Sequence, residues 1–308
     1  MLRTRAVQLA LGALLTGTTC GAGRAAAAEG ARCAELAQNA ADAGAMDARA
    51  ISLALFKAAD NNCADLIDRL LQQGASTHAR DALGRTALIH AARTGAGEAA
   101  RLLIERGSPI DQAALNGNTA LFTAAEADKA DVVEMLLAAN ANVNLLGRSG
   151  LSPLAAAAFN ADDGVALLLL DHGADATVAD VTGKTPILYA AARGRAALVG
   201  RLLDGGIDPN QHYGHDLTAL MWAAGHPDDV TERDALAVVG LLLQRGARVD
   251  DADDRGRTAL MIAAEQDHKE MVATLLAAGA QADRRDHDGK AAFDLAAATT
   301  RGLLPASR

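Results

Sequence analysis

Large aromatic side chains are scarce in this chain: one Trp, two Tyr and four Phe among 308 residues, although half the residues are hydrophobic. The apolar content is therefore mostly Ala and Leu, which suits thin, repeated helix contacts and argues against one thick core filled by rings. Cysteines number three, Cys20, Cys33 and Cys63, and none stands in a Cys-x-x-Cys pair, so a cysteine-built zinc framework is excluded. Bases are outnumbered, 29 Lys and Arg against 38 Asp and Glu, for a formal charge of −9. That balance argues against nucleic acid or an anionic membrane as the main partner. Beyond the first residues no stretch approaches about 18 uncharged apolar residues, so no transmembrane segment is expected.

The N-terminus carries Arg3 and Arg5, then a short apolar run from Ala6 to Leu15, then Ala25 to Ala28 with small residues at the −3 and −1 positions. This is the layout of a secretory signal peptide over residues 1–28, cleaved after Ala28. A transit peptide is the alternative, because the segment lacks acids, yet it holds few Ser. Cys20 opens another, a lipid-anchored envelope protein, although Gly17-Thr18-Thr19 before it is unlike the Leu-Ala-Gly of lipoprotein signals. Loss of residues 1–28 removes Arg3, Arg5 and Arg24 and no acid, moving the formal charge from −9 to −12. Export, with the periplasm as the expected destination or else the extracellular space, leaves Cys33 and Cys63 in an oxidising compartment, where a pair reads as a disulfide. Two buried free thiols are the other reading.

What the chain has in abundance is a period. Thr86-Ala-Leu-Ile-His-Ala-Ala92 returns as Thr119-Ala-Leu-Phe-Thr-Ala-Ala125, Ser152-Pro-Leu-Ala-Ala-Ala-Ala158, Thr185-Pro-Ile-Leu-Tyr-Ala-Ala191, Thr218-Ala-Leu-Met-Trp-Ala-Ala224 and Thr258-Ala-Leu-Met-Ile-Ala-Ala264. The starts are 33 residues apart except for one step of 40. Gly74, Gly107, Asn140, Gly173, Gly206, Gly246 and Gly279 keep the same step, and Gly84, Gly117, Gly150, Gly183, Gly256 and Gly289 form a third series. Each position has a physical task. Thr or Ser caps a first helix, Pro153 and Pro186 sit where a missing N–H costs nothing, and the Ala pair lets neighbouring helices approach. A second helix carries an apolar stripe such as Val132, Val133, Leu136 and Leu137, and Gly or Asn then turns the chain with positive φ.

The period and the phrase resemble the ankyrin repeat, whose signature is T-P-L-H-x-A. The resemblance covers residues 52 to 304. It implies an all-α repeat solenoid of stacked helix-turn-helix units with β-hairpin-like turns, about seven units plus a C-terminal cap. Before it, residues 29–51 are expected to add an N-terminal helical cap, and residues 305–308 a short tail. Where the family often has His, this chain has Ile89, Phe122, Ala155, Leu188, Met221 and Met261, so those positions are expected to pack rather than to bond. Around Leu53 to Ala59 the Thr cap is missing, as suits a terminal repeat. Cys63 falls between the helices of that first unit, so a bond to Cys33 would staple the leading helix to the stack, worth about 3 kcal/mol in the chain-entropy model.

Ankyrin proteins bind other proteins through a concave groove lined by turn tips and first helices. By position that implies Arg85, Asn118, Arg148, Lys184 and Arg257 at the tips, with solvated turn residues as the alternative. The variable first-helix position holds Lys57, His90, Thr123, Ala156, Tyr189, Trp222, Ile262 and Leu295. Tyr189 and the chain's single Trp, Trp222, are the candidate anchors, since large rings with one polar atom recur at binding sites; otherwise they merely cover Ala surface. Arg193 and His226 flank them at the loop end.

The 40-residue step comes from seven added residues near 226–234, with Asp228, Asp229, Glu232 and Asp234 making an acidic insert. Beside Trp222, it is expected to form a lip of the groove, with a tolerated loop insertion close behind. An alternative makes it a metal- or ligand-dependent enzyme accessory site with His212, His215 and His226, but the spacing matches no His-Glu-x-x-His pattern. No phosphate loop or Gly-x-Ser-x-Gly elbow is present. The expectation is a monomeric, non-catalytic module without metal or cofactor that binds another protein.

Overall fold

The computed structural model describes residues 19–42, 47–160 and 163–305. The first 18 residues of the expected signal peptide and the last three of the tail lie outside the described residues. The chain divides into two compact units, residues 1–109 and 110–308. Among the described residues there are 16 α-helices and no strand, so the class is an all-α repeat solenoid.

The first unit holds α1 (Thr19–Asp42), α2 (Ala48–Asp60), α3 (Ala64–Gln72), α4 (Ala87–Thr94) and α5 (Gly97–Glu105). α2 packs on α3 and α4, α3 on α5, and α1 on α2. α1 runs through the expected cleavage point at Ala28. α2 starts four residues before the expected boundary at 52, and its cap is not missing but upstream: Asp47 accepts from the backbone N–H of Arg49 and Ala50. A carboxylate there satisfies the orphan donors as Thr does elsewhere. The sulfurs of Cys33 and Cys63 lie 2.02 Å apart, which places α1 beside the link between α2 and α3.

The second unit holds α6 (Ala120–Glu126), α7 (Ala130–Ala138), α8 (Pro153–Asn160), α9 (Asp163–Asp171), α10 (Pro186–Ala192), α11 (Ala196–Asp204), α12 (Ala219–Ala224), α13 (Glu232–Gln244), α14 (Ala259–Glu265), α15 (Lys269–Ala277) and α16 (Ala292–Leu295). First helices pack in the order α6, α8, α10, α12, α14, α16, and second helices in the order α7, α9, α11, α13, α15. Thr119, Ser152, Thr218 and Thr258 each accept from the N–H three residues on. Thr185 makes no such bond at the head of α10, where Pro186 already presets the first turn. Ile89, Phe122, Ala155, Leu188, Met221 and Met261 are all buried, so apolar packing does replace the family's polar tie.

The turns between helix pairs close as tight hairpins without becoming strands. Gly147 donates to the Leu151 carbonyl and Asp180 to that of Lys184, at 2.8 and 2.9 Å. Where the third glycine series is interrupted, His215 and Asp216 take positive φ, 63° and 56°. Asp81, Asp180, Asp253 and Asp286 organise their turns: each Oδ1 accepts from the N–H two and four residues on.

Candidate functional site

In the second unit the first helices α8, α10 and α12 lie side by side, and they bring most of the expected anchors together. Tyr189 of α10 meets Phe159 of α8 edge to face, with ring centroids 5.7 Å apart. Phe159 is 43% exposed, an unusual state for a ring in a chain with so few. The guanidinium of Arg193 lies 5.4 Å over the Phe159 ring. On α12, the Trp222 ring is half-buried and the Lys184 ammonium lies 5.4 Å from its centroid. The result is a row of three rings across three helices with a cation at each end, the arrangement that cation–π attraction favours.

Tyr189 is less free than its position implies. Its hydroxyl donates to Asp180 Oδ2, nine residues upstream in the turn. Burial, and then the Asp180 carboxylate, push the phenol pKa far above its ordinary value. Burial opposes the charge on Asp180, but the Tyr189 and Thr182 hydroxyls and two backbone N–H groups outweigh it and hold the carboxyl below its usual range. Tyr189 is thus a half-buried strut rather than a free anchor. Trp222 has no such partner. The residue nine before it is Tyr213, not an acid, and among the described residues nothing accepts from the buried indole Nε1.

The other expected contacts divide. Arg148 pairs with Glu126 and Arg257 with Glu265, so these basic tips are neutralised by neighbours, and Arg193 at the loop end pairs with Asp229. Lys184 donates to Thr182 Oγ1 at 3.1 Å. Asn118 is no surface contact: it is 7% exposed, and its Oδ1 accepts from Arg148 N at 2.9 Å, tying one turn to the next. Arg85 belongs to the first unit and pairs with Asp81 at 2.7 Å. Around it stands a cluster the sequence did not announce. His90, 5% exposed, has Nδ1 at 3.1 Å from both oxygens of Asp60 and Nε2 at 3.1 Å from Asp81 Oδ2. Its ring stacks on Phe56, and Arg93 holds Asp60 from outside. Burial opposes the charge on Asp81, but bonds from Arg85 and from Leu83 N–H keep it below its ordinary value.

The insert is not a loose lip. Of its seven extra residues part lengthens the loop and part lengthens α13, which has 13 residues where α11 and α15 have 9. Thr231 supplies a new cap, accepting from Asp234 N at 3.2 Å. Backward, Asp229 reaches Arg193, and Val230 and Asp234 lean on Gly194; a Cβ there would stand 2.8 Å from Asp234 Cβ. Forward, Glu232 Oε1 accepts from the N–H of Glu270 and Met271 at 2.9 and 3.2 Å, capping α15 in the next repeat. His226, expected as a contact, is buried instead at 6%. Its ring stacks on His268 with centroids 3.9 Å apart, because the His226 side chain turns inward while Pro227 beside it stays exposed.

Its Nδ1 lies 3.2 Å from the Pro227 carbonyl, and His268 Nδ1 lies 3.0 Å from that of Ala224. Carbonyls can only accept, so both rings donate from Nδ1. Burial first, and then the neighbouring His268, lower the His226 pKa against the opposing pull of the Pro227 bond, Glu232 and Asp228. Among the described residues no group of three or more His, Cys, Asp or Glu is placed to hold a metal ion.

Paired helices repeated along the chain, with one variable side chain shown by each first helix, define a repeat scaffold. A family model described as Ankyrin repeats (3 copies) matches residues 24–113, 55–147, 102–180, 154–232 and 230–304, and the chain belongs to the ankyrin repeat proteins. Ankyrin repeats generally act as protein–protein interaction modules, and the family is typically non-catalytic. No curated protein matches the chain. No helix among the described residues is long and apolar enough to cross a membrane.

Proposed function

We propose that this chain is an exported, monomeric, non-catalytic module that captures another protein on the face formed by α8, α10 and α12. The observation that carries this reading is the aromatic row of exposed Phe159 and half-buried Tyr189 and Trp222, flanked by Arg193 and Lys184. In a chain with only seven aromatic residues, three on adjoining helices concentrate the residue types that dominate binding hot spots. Tyr189 is already held by Asp180, so Phe159 and Trp222 do most of the contacting. A packed stack presents them at set spacing, so little ordering entropy is lost on binding. Support for export comes from the Arg, apolar and Ala-x-Ala order of residues 1–28. The Cys33–Cys63 proximity fits a bond formed in an oxidising compartment such as the periplasm.

Crosslinking in native extract is expected to capture one partner with the wild-type chain and to lose it with Phe159→Ala plus Trp222→Ala. Unchanged capture by a folded double variant overturns the assignment of this face.

A further inference from the structure

Resting on that reading, we infer that the face takes a partner segment carrying a carboxylate beside an apolar side chain, and that Asp229 of the insert is a built-in competitor for the same cation, Arg193. The guanidinium lies over the Phe159 ring, which orients the plane of its donor fork before anything binds. Asp229 does not use that fork. Both of its oxygens lie 2.8 Å from the single nitrogen Nη1, an end-on contact rather than the two parallel bonds that make Arg–carboxylate pairs strong. The acid is also on the outside of the pair: its side chain is 64% exposed and that of Arg193 22%.

The insert holds Asp229 on a short leash. Pro227, Asp228 and Asp229 are exposed between two buried residues, His226 and Val230. The carboxylate can therefore leave Arg193 by local rotation while the insert's anchors, Val230 on Gly194 and Glu232 on α15, stay in place. The other acid on this face, Asp180, is already spent on its own turn and on the Tyr189 hydroxyl. A vacated Arg193 at one end of α10 and Lys184 at the other leave two cations with three rings between them. The complementary ligand is an acidic segment with aliphatic or aromatic residues next to its carboxylates.

The single Trp of the chain stands on this face, so its emission reports binding directly. The full chain is titrated with a blocked peptide of glutamates flanking leucines, and with the same peptide carrying glutamine for each glutamate. The acidic peptide is expected to shift Trp222 emission saturably, and the glutamine twin to bind at least about 10-fold more weakly, the scale of one charge-assisted bond. Asp229→Asn is expected to tighten the acidic peptide about 2- to 5-fold, the worth of an exposed pair. Arg193→Gln should weaken it about 10-fold, with Arg193→Lys in between because it keeps the charge and loses the fork; circular dichroism checks that each variant is folded.

Equal binding of the glutamine twin overturns the carboxylate assignment while leaving the ring face standing. Unchanged or weaker binding in Asp229→Asn overturns the competitor role. Silence of Trp222 toward both peptides overturns the whole inference, whereas the face itself stands or falls on capture by the Phe159 and Trp222 variant.

Discussion

Single residues decide which first helix can offer a contact. His90 and Tyr189 occupy the same repeat position, and each finds an Asp nine residues upstream, Asp81 and Asp180. Both therefore serve the turn as much as the surface. Nine residues before Trp222 stands Tyr213 instead of an acid, and among the described residues nothing accepts from the buried indole N–H. The type of residue at 189 and 222 was legible in the repeat; the commitment of Tyr189 was not, because it depends on a side chain from another part of the same unit. Burial of His226 is a second residue-scale fact that only three-dimensional packing reveals, and it has a measurable sign.

Folding lowers the His226 pKa below its ordinary 6.5, so between those values the unfolded chain binds the extra proton. Stability from this group is complete above about pH 6.5 and is lost as the pH falls through the folded value. The melting temperature is expected to fall between pH 7 and pH 5 in the wild type and to fall less in His226→Gln. The carboxylates held low by the fold, among them Asp81 and Asp180, give their stability in full above their ordinary range and lose it only as the pH falls below about 3.8. An identical decline in both proteins between pH 7 and pH 5 contradicts this account.

Among elements, α13 and the loop before it show how far a period can be read. The interruption at 40 residues was plain, and so were its acids. How the added residues divide between loop and helix was not, since a helix can absorb extra residues wherever a new cap such as Thr231 allows. The outcome is a clasp over three consecutive repeats, from Arg193 and Gly194 behind to the head of α15 ahead. Glu232 provides the forward half by accepting two backbone donors of another helix, a cap in trans. Its replacement by Ala is expected to cost about 1 kcal/mol in urea unfolding, the worth of a helix cap, and to speed amide exchange at Glu270 and Met271. Unaltered exchange at those two amides would show that the clasp does not hold α15. The same logic explains α2, whose cap is an Asp six residues before the Leu53–Ala59 phrase and so invisible to a search for Thr.

For the whole molecule, the repeat class was readable because three separate residue series share one period, and each carries a backbone or packing requirement of its own. Packing at Ile89, Phe122, Ala155, Leu188, Met221 and Met261 followed from their chemistry. Candidate contact residues were harder to read, because exposure depends on neighbours. Arg148 and Arg257 are basic in sequence yet paired in space, Asn118 is polar yet buried, and Phe159, outside the variable position, is the exposed ring that completes the row. The central claim is that this row meets the partner. The most direct measurement replaces the single Trp with 5-fluorotryptophan and follows its one fluorine resonance as the captured partner is added. A shifted or broadened resonance that saturates with the partner is the predicted result, and a resonance unchanged at full occupancy would contradict it.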